Sequence, residues 1–185
     1  SDPSVAAIAI SLPSSGLLGS IPASLSSLAS LQTLDLSGNN LSGGIPSALG
    51  QSPSLAYLNL ASNQLSGAIP ASLWSLCTSG KKSSSSSSSD SLALRELRLE
   101  RNEFSGGIPS LPSSVTECPD LQAIDFSYNS LSGSIPDFLG TFAGGLSDLN
   151  LRNNSLSGAI PGSLAGLTNL TQFDVSNNNL SGPIP

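Results

Sequence analysis

The 185-residue chain is long enough for one domain, with 38% hydrophobic residues to fill a core but only 4% aromatic and 10% charged residues. A net charge of −6 argues against a general nucleic-acid surface, and no apolar run has the length of a membrane span. There is no histidine, which removes Ser-His-Asp triads, Cys-His dyads and imidazole metal sites.

The chain opens with SDPSVAAIAI, which lacks the basic region and long apolar core of a signal peptide, so any targeting signal or anchor is expected outside it. From there one pattern recurs. Ile-Pro occurs at Ile21, Ile45, Ile69, Ile108, Ile135, Ile160 and Ile184, in steps of 24, 24, 39, 27, 25 and 24 residues. Six residues before each Ile stands Ser15, Asn39, Asn63, Asn102, Asn129, Asn154 or Asn178. Two residues before each stands a glycine, from Gly19 to Gly182. Just upstream lies an apolar-x-apolar pair: Ile10/Leu12, Leu34/Leu36, Leu58/Leu60, Leu97/Leu99, Ile124/Phe126, Leu149/Leu151 and Phe173/Val175.

Periods of this length are the mark of stacked repeats. Apolar-x-apolar is a short strand with one inward face, and a single coil cannot bury that face alone. Stacked coils therefore place their strands in a parallel sheet, about 4.8 Å from coil to coil. The amide of the recurring Asn carries two donors and an acceptor, suited to satisfying backbone groups where the strand ends. Gly and Pro then steer the chain across the far side, where later residues such as Leu25 and Leu28 complete the core.

The long third step is explained by a 15-residue insertion, residues 77–91, CTSGKKSSSSSSSDS. A Ser-rich run with no apolar face is expected to be a disordered loop outside the sheet. Its SGKKS is not a phosphate loop: Ser75 stands where the motif needs glycine, and no Ser or Thr directly follows the first Lys. Cys118 lies three residues before Leu121, as Leu28 lies before Leu31, and so is expected as a small core residue. Cys77 and Cys118 are expected as free thiols, with a bridge between neighbouring coils left open as the alternative.

Alternation along the strands lists the outward residues of the sheet. The central row is Ser11, Asp35, Asn59, Arg98, Asp125, Asn150 and Asp174. Nearby rows hold Tyr57, Glu96, Glu100, Tyr128 and Arg152, flanked by Arg95, Arg101, Asp148 and Asn153. The fourth repeat, LRELRLERNEF, concentrates charge and carries three of the six basic residues. Arg98 and Arg101 there are suited to holding a carboxylate bidentately. In register, Arg98 is also expected to neighbour Asp125, a surface pair worth only about 0–1 kcal/mol. The candidate binding set is Tyr57, Asn59, Arg95, Arg98, Glu100, Arg101, Asp125, Tyr128, Asn150 and Arg152. Asp125 and Asp174, two coils or about 10 Å apart, lie at the upper edge of a carboxylate pair. With no cleft to exclude water, no enzyme activity is expected, and no cofactor or metal is called for. Glycosylation sequons begin at Asn40, Asn153, Asn169 and Asn179.

The pattern L-x-x-L-x-L-x-x-N-x-L-S-G-x-I-P, carried by NNLSGGIP, NQLSGAIP, NEFSGGIP, NSLSGSIP, NSLSGAIP and NNLSGPIP, resembles the plant extracellular type of leucine-rich repeat. The resemblance covers about residues 7–185 and implies an α/β right-handed solenoid of about seven coils. It implies a concave parallel sheet, and a convex side of short 3-10 or irregular segments and second short strands. It implies one solenoid domain over 1–185 and display outside the cell. Ser15 in place of Asn, missing caps and the insertion depart from the family pattern, and the chain is expected to be a fragment of a longer protein or a degenerate short member. The function implied is the ligand-binding ectodomain segment of a receptor-like kinase or receptor-like protein. Its ligand would be a peptide or protein, a co-receptor solenoid among them, with the membrane reached only through parts absent here. The alternative implied is a secreted inhibitor of polygalacturonase-like enzymes. Ice binding by flat polar rows is weighed third, and the charged, irregular middle of the face argues against it.

Overall fold

The structure, a computed structural model, describes residues 8–78 and 93–185. Seven short strands, β1 (Ile8–Ser11), β3 (Leu31–Asp35), β5 (Tyr57–Asn59), β7 (Glu96–Arg98), β9 (Ala123–Asp125), β11 (Asp148–Asn150) and β13 (Gln172–Asp174), form one parallel sheet in chain order. A second parallel sheet takes the segments at or just before the recurring glycine in the same order: β2 (Leu18–Gly19), β4 (Asn40–Gly43), β6 (Gln64–Ala68), β8 (Glu103–Gly106), β10 (Ser130–Gly133), β12 (Ser155–Ala159) and β14 (Asn179–Ser181). Neighbours in sequence are neighbours in space, as expected when each coil can bury its apolar face only against the next.

The helical segments among the described residues are all short 3-10 turns. They lie at Ala23–Ser27, Ser47–Gln51, Ala71–Cys77, Asp137–Phe142 and Gly162–Gly166. Each starts after the Pro of an Ile-Pro pair, whose extended backbone ends the preceding segment. The Pro carbonyl accepts from the N–H of a leucine three residues on, as Leu49 N to Pro46 O at 3.0 Å. The fourth coil departs: no such turn follows Pro109, and its carbonyl accepts from the indole Nε1 of Trp74 at 2.8 Å. Trp74 is fully buried, with Phe126, Phe138 and Phe142 within 6.4 Å by ring centroids.

The inward residues line up as one continuous core. Leu34, Leu58, Leu97, Ile124 and Leu149 are all buried, as are Leu36, Leu60, Leu99, Phe126 and Leu151. The inward pairs of the first and last coils are less covered: Leu12 is 44% and Phe173 40% exposed. An inward side chain is sealed by a coil on each side, and each of these has a described neighbour on one side only.

The recurring Asn joins neighbouring coils. Asn102 donates from Nδ2 to the carbonyls of Leu99 and Glu100 in its own coil and of Leu60 in the coil before. Its Oδ1 accepts from Leu65 N, again in the coil before, at 3.0 Å. Asn63, Asn129, Asn154 and Asn178 repeat this set. Asn39 does the same towards the first coil, where its Oδ1 accepts from Ser15 N and Leu17 N. The glycine two residues before the Ile of each Ile-Pro has a positive φ in every coil, from 77° to 90°, a conformation that disfavours a Cβ.

One expectation is corrected. Cys77 and Cys118 are not free thiols; they form a disulfide, with Cα atoms 4.8 Å apart and both residues buried. The residues are 41 apart in sequence, but with the insertion set aside they face each other on adjacent coils. The 3-10 turn of the third coil ends at Cys77, and the irregular far side of the fourth brings Cys118 beside it. Most of the Ser-rich insertion, Ser79 to Ser91, lies outside the described residues.

Candidate recognition face

The register of the first sheet sorts its outward residues into rows. Thr33, Tyr57, Glu96, Ala123, Asp148 and Gln172 stand side by side, and so do Asp35, Asn59, Arg98, Asp125, Asn150 and Asp174. Past the strand ends, Gly38, Ser62, Arg101, Tyr128, Asn153 and Asn177 all occupy the left-handed region, with φ between 51° and 67°. The exposed rim is therefore built from the residues that turn the chain away from the sheet.

The central row has a structural duty that its polarity alone does not reveal. Asp35, Asn59, Asp125, Asn150 and Asp174 each accept, through Oδ1, the backbone N–H two residues on: Ser37, Ala61, Ser127, Arg152 and Ser176, at 2.9–3.2 Å. This is the turn that Asn and Asp side chains favour. Ser11 is excused, because residue 13 is a proline with no N–H. Arg98 is the exception. A guanidinium has no acceptor, so in the fourth coil the central row offers none to the N–H two residues on, that of Glu100.

That exchange gathers the charge of the face. Arg98 Nε donates to Glu96 Oε2 at 2.8 Å, and this bond is the main reason its pKa is raised. The expected neighbourhood of Arg98 and Asp125 holds in register, but the ion pair goes to Glu96 in the same strand. Asp125 is engaged elsewhere, its Oδ2 accepting from Asn150 Nδ2 at 2.9 Å. Burial pushes the Glu100 carboxyl up, and nearby Asp125 adds to the shift. Burial also raises Asp148. The hydroxyl and N–H of Ser176 hold Asp174 below the usual carboxylate range. Arg152 Nη1 reaches Asp174 Oδ2 at 3.5 Å. Arg101 lies over the Tyr128 ring, 4.4 Å from its centroid. Three buried atoms of this face, Arg95 Nε, Glu100 Oε2 and Arg152 Nε, have no hydrogen-bond partner among the described residues.

A hollow of about 310 Å³ opens on the second to fourth coils, lined by Thr33, Leu34, Asp35, Tyr57, Leu58, Asn59, Glu96 and Arg98. Of the candidate residues it brings together Tyr57, Asn59 and Arg98. Arg95, Glu100, Arg101, Asp125, Tyr128, Asn150 and Arg152 lie outside its lining, on the remainder of the face and its rim. Thr33 was not singled out in the sequence, although it stands two residues before Asp35 as Tyr57 stands before Asn59. Among the sequons, Asn40, Asn169 and Asn179 are exposed, Asn169 donating to Gly144 O at 3.1 Å. Asn153 is half-buried on the rim.

Comparison with known proteins gives a consistent setting. Residues 9–67 match one family model for the leucine rich repeat, and residues 93–115, 120–142, 145–167 and 169–185 match a second of the same description. Receptor-like protein 31 of Arabidopsis thaliana is 38% identical over 92 residues, which is 50% of this chain and 10% of that protein. The putative kinase-like protein TMKL1 of the same plant is 43% identical over 168 residues, 90% of this chain and 22% of that protein. The chain thus spans between a tenth and a quarter of the length of these relatives. Among solved structures, the plant peptide hormone receptor RGFR1 in complex with RGF2 superposes with a TM-score of 0.80 and 36% identity, over 96% of this chain and 25% of the receptor chain.

Proposed function

This chain belongs to the leucine-rich repeat family, and on that premise we propose that it is the recognition segment of a plant cell-surface receptor, binding a peptide or protein across its first sheet without catalysis. The observation that carries the reading is Arg98. Every other described coil with a backbone N–H at the turn keeps an Asp or Asn in the central row to accept it. The fourth coil gives that acceptor up for a guanidinium, and the face there becomes dense in charge beside a hollow.

Two further features support it. The unpartnered buried atoms of Arg95, Glu100 and Arg152 are costly in an isolated solenoid, and a bound main chain supplies complementary donors and acceptors. The buried Cys77–Cys118 disulfide suits the oxidising space outside the cell. A co-receptor solenoid is the second kind of partner for the same face, and glycans at Asn40, Asn169 and Asn179 would stand clear of it. No helix among the described residues is long and apolar enough to cross a membrane.

The test is quantitative capture of secreted peptides and receptor ectodomains by the wild-type chain and by an Arg98→Ala/Arg101→Ala variant. Loss of a captured species in the variant, with retention in a variant altered on the far side at Asp137, supports the reading. Equal capture by all three removes it.

A further inference from the structure

We propose that the hollow on the second to fourth coils is a subsite for a positively charged side chain, the guanidinium of an arginine on an extended peptide, held between Asp35 and Glu96 over Tyr57. The proposal rests on the recognition reading above and names the chemistry of one of its contacts.

Size and shape come first. About 310 Å³ accommodates a single long side chain, and Leu34 and Leu58 beneath are fully buried, so the hollow ends on the core. The sheet register sets its corners. Thr33, Tyr57 and Glu96 form one edge and Asp35, Asn59 and Arg98 the other. Asp35 and Glu96 therefore stand at opposite corners, two strands apart, with the half-buried Tyr57 on the strand between them.

Charge decides the sign of the guest. The lining holds two carboxylates and one guanidinium, and that guanidinium is already bonded to Glu96. Asp35 has no cationic partner among the described residues. Its Oδ1 is used by Ser37, through N at 3.0 Å and Oγ at 2.7 Å, which leaves Oδ2 for a ligand. Among the described residues Glu96 likewise commits only Oε2, to Arg98. A ligand carboxylate placed here would meet Asp35 and Glu96, with Glu100 and Asp148 also within electrostatic reach of Arg98. A cation meets uncommitted carboxylate oxygens, and an aromatic ring is a favourable surface for it. Arginine fits better than lysine, because its planar, weakly hydrated fork can lie on a ring and still reach acceptors on both sides. The rest of the face, with Asp125, Asp148 and Asp174, draws the same kind of partner at long range.

The experiment uses the whole chain, isotopically labelled, titrated at low ionic strength with N-acetyl-arginine methylamide and with its neutral citrulline counterpart. Saturable shifts centred on Thr33, Asp35, Tyr57 and Glu96 with the arginine probe, and none with citrulline, are expected. Asp35→Asn is the decisive variant. Asparagine keeps the Oδ1 acceptor for Ser37, as Asn59 and Asn150 do in their own coils, so the turn survives while the charge is lost. Binding of the arginine probe should weaken about tenfold in this variant, the scale of a lost charge-assisted hydrogen bond. Equal shifts from both probes, shifts scattered along the acidic face, no saturable binding, or unchanged affinity in Asp35→Asn would each overturn the proposal. None of these results bears on the broader reading, which the capture experiment with Arg98→Ala/Arg101→Ala decides separately.

Discussion

Two rows of polar side chains run the length of the solenoid, and they tolerate change very differently. The Asn row from Asn39 to Asn178 bonds across coils, each amide serving backbone groups of its own coil and of the one before. The row from Asp35 to Asp174 bonds mainly within a coil, each Asp or Asn accepting the N–H two residues on, with the Asn150–Asp125 bond as its hydrogen bond across coils. The first row is without exception from the second coil onward. The second contains Asp, Asn and, once, Arg. A residue whose bonds hold two coils together is not replaceable one coil at a time. A residue with a single local bond is, and that is where recognition chemistry can be introduced at small cost.

The contrast is sharpest at Asn102→Ala. Removing this amide strands three carbonyls and the N–H of Leu65, and should destabilise the fold by about 4 kcal/mol, measured by denaturant unfolding. A loss below 1 kcal/mol would erase the distinction between the rows. Next is the only covalent tie between coils among the described residues. Cys77→Ala/Cys118→Ala should lower stability by about 3 kcal/mol, since the bridge closes a long loop, and reductant should have no further effect on that variant. Asp125→Ala, in the second row, should cost about 1 kcal/mol, for it frees only Ser127 N and Asn150 Nδ2. Arg98→Asn, which restores the row's acceptor, should change stability by only a few tenths of a kcal/mol while abolishing partner capture.

The smallest effect concerns pH. Burial raises the Glu100 carboxyl, so the folded state holds its proton more tightly than the unfolded state and its charge opposes folding. That penalty is full above the raised value and vanishes as pH falls below the ordinary value of 4.5. Glu100→Gln should therefore raise Tm at pH 7, with the gain shrinking towards pH 4. A gain that persists unchanged in acid would point to packing instead of charge.

Much of this was legible before any coordinates. The seven-fold spacing of Ile-Pro, Asn and Gly placed the strands, the turns and the inward leucines, because each repeat must satisfy the same backbone groups and fill the same core layer. The face was legible too, since strand alternation picks out its residues. The cysteine pairing was not: the insertion hides the fact that residues 41 apart sit on adjacent coils.

The amino-acid text by itself determined the repeat, its parallel sheet and most of the outward residues, Thr33 being missed, because those follow from periodicity, alternation and hydrogen-bonding capacity within one coil. Only the tertiary structure decided which of those residues face one another. It paired Arg98 with Glu96, laid Arg101 on Tyr128, and left Asp35 beside Tyr57 with no cationic partner among the described residues. The Arg101–Tyr128 contact spans two coils, and the Arg98–Glu96 pair forms within one strand while Asp125 on the next coil bonds Asn150 instead, so the geometry of the stacked coils and not the pattern of one repeat selects the partners.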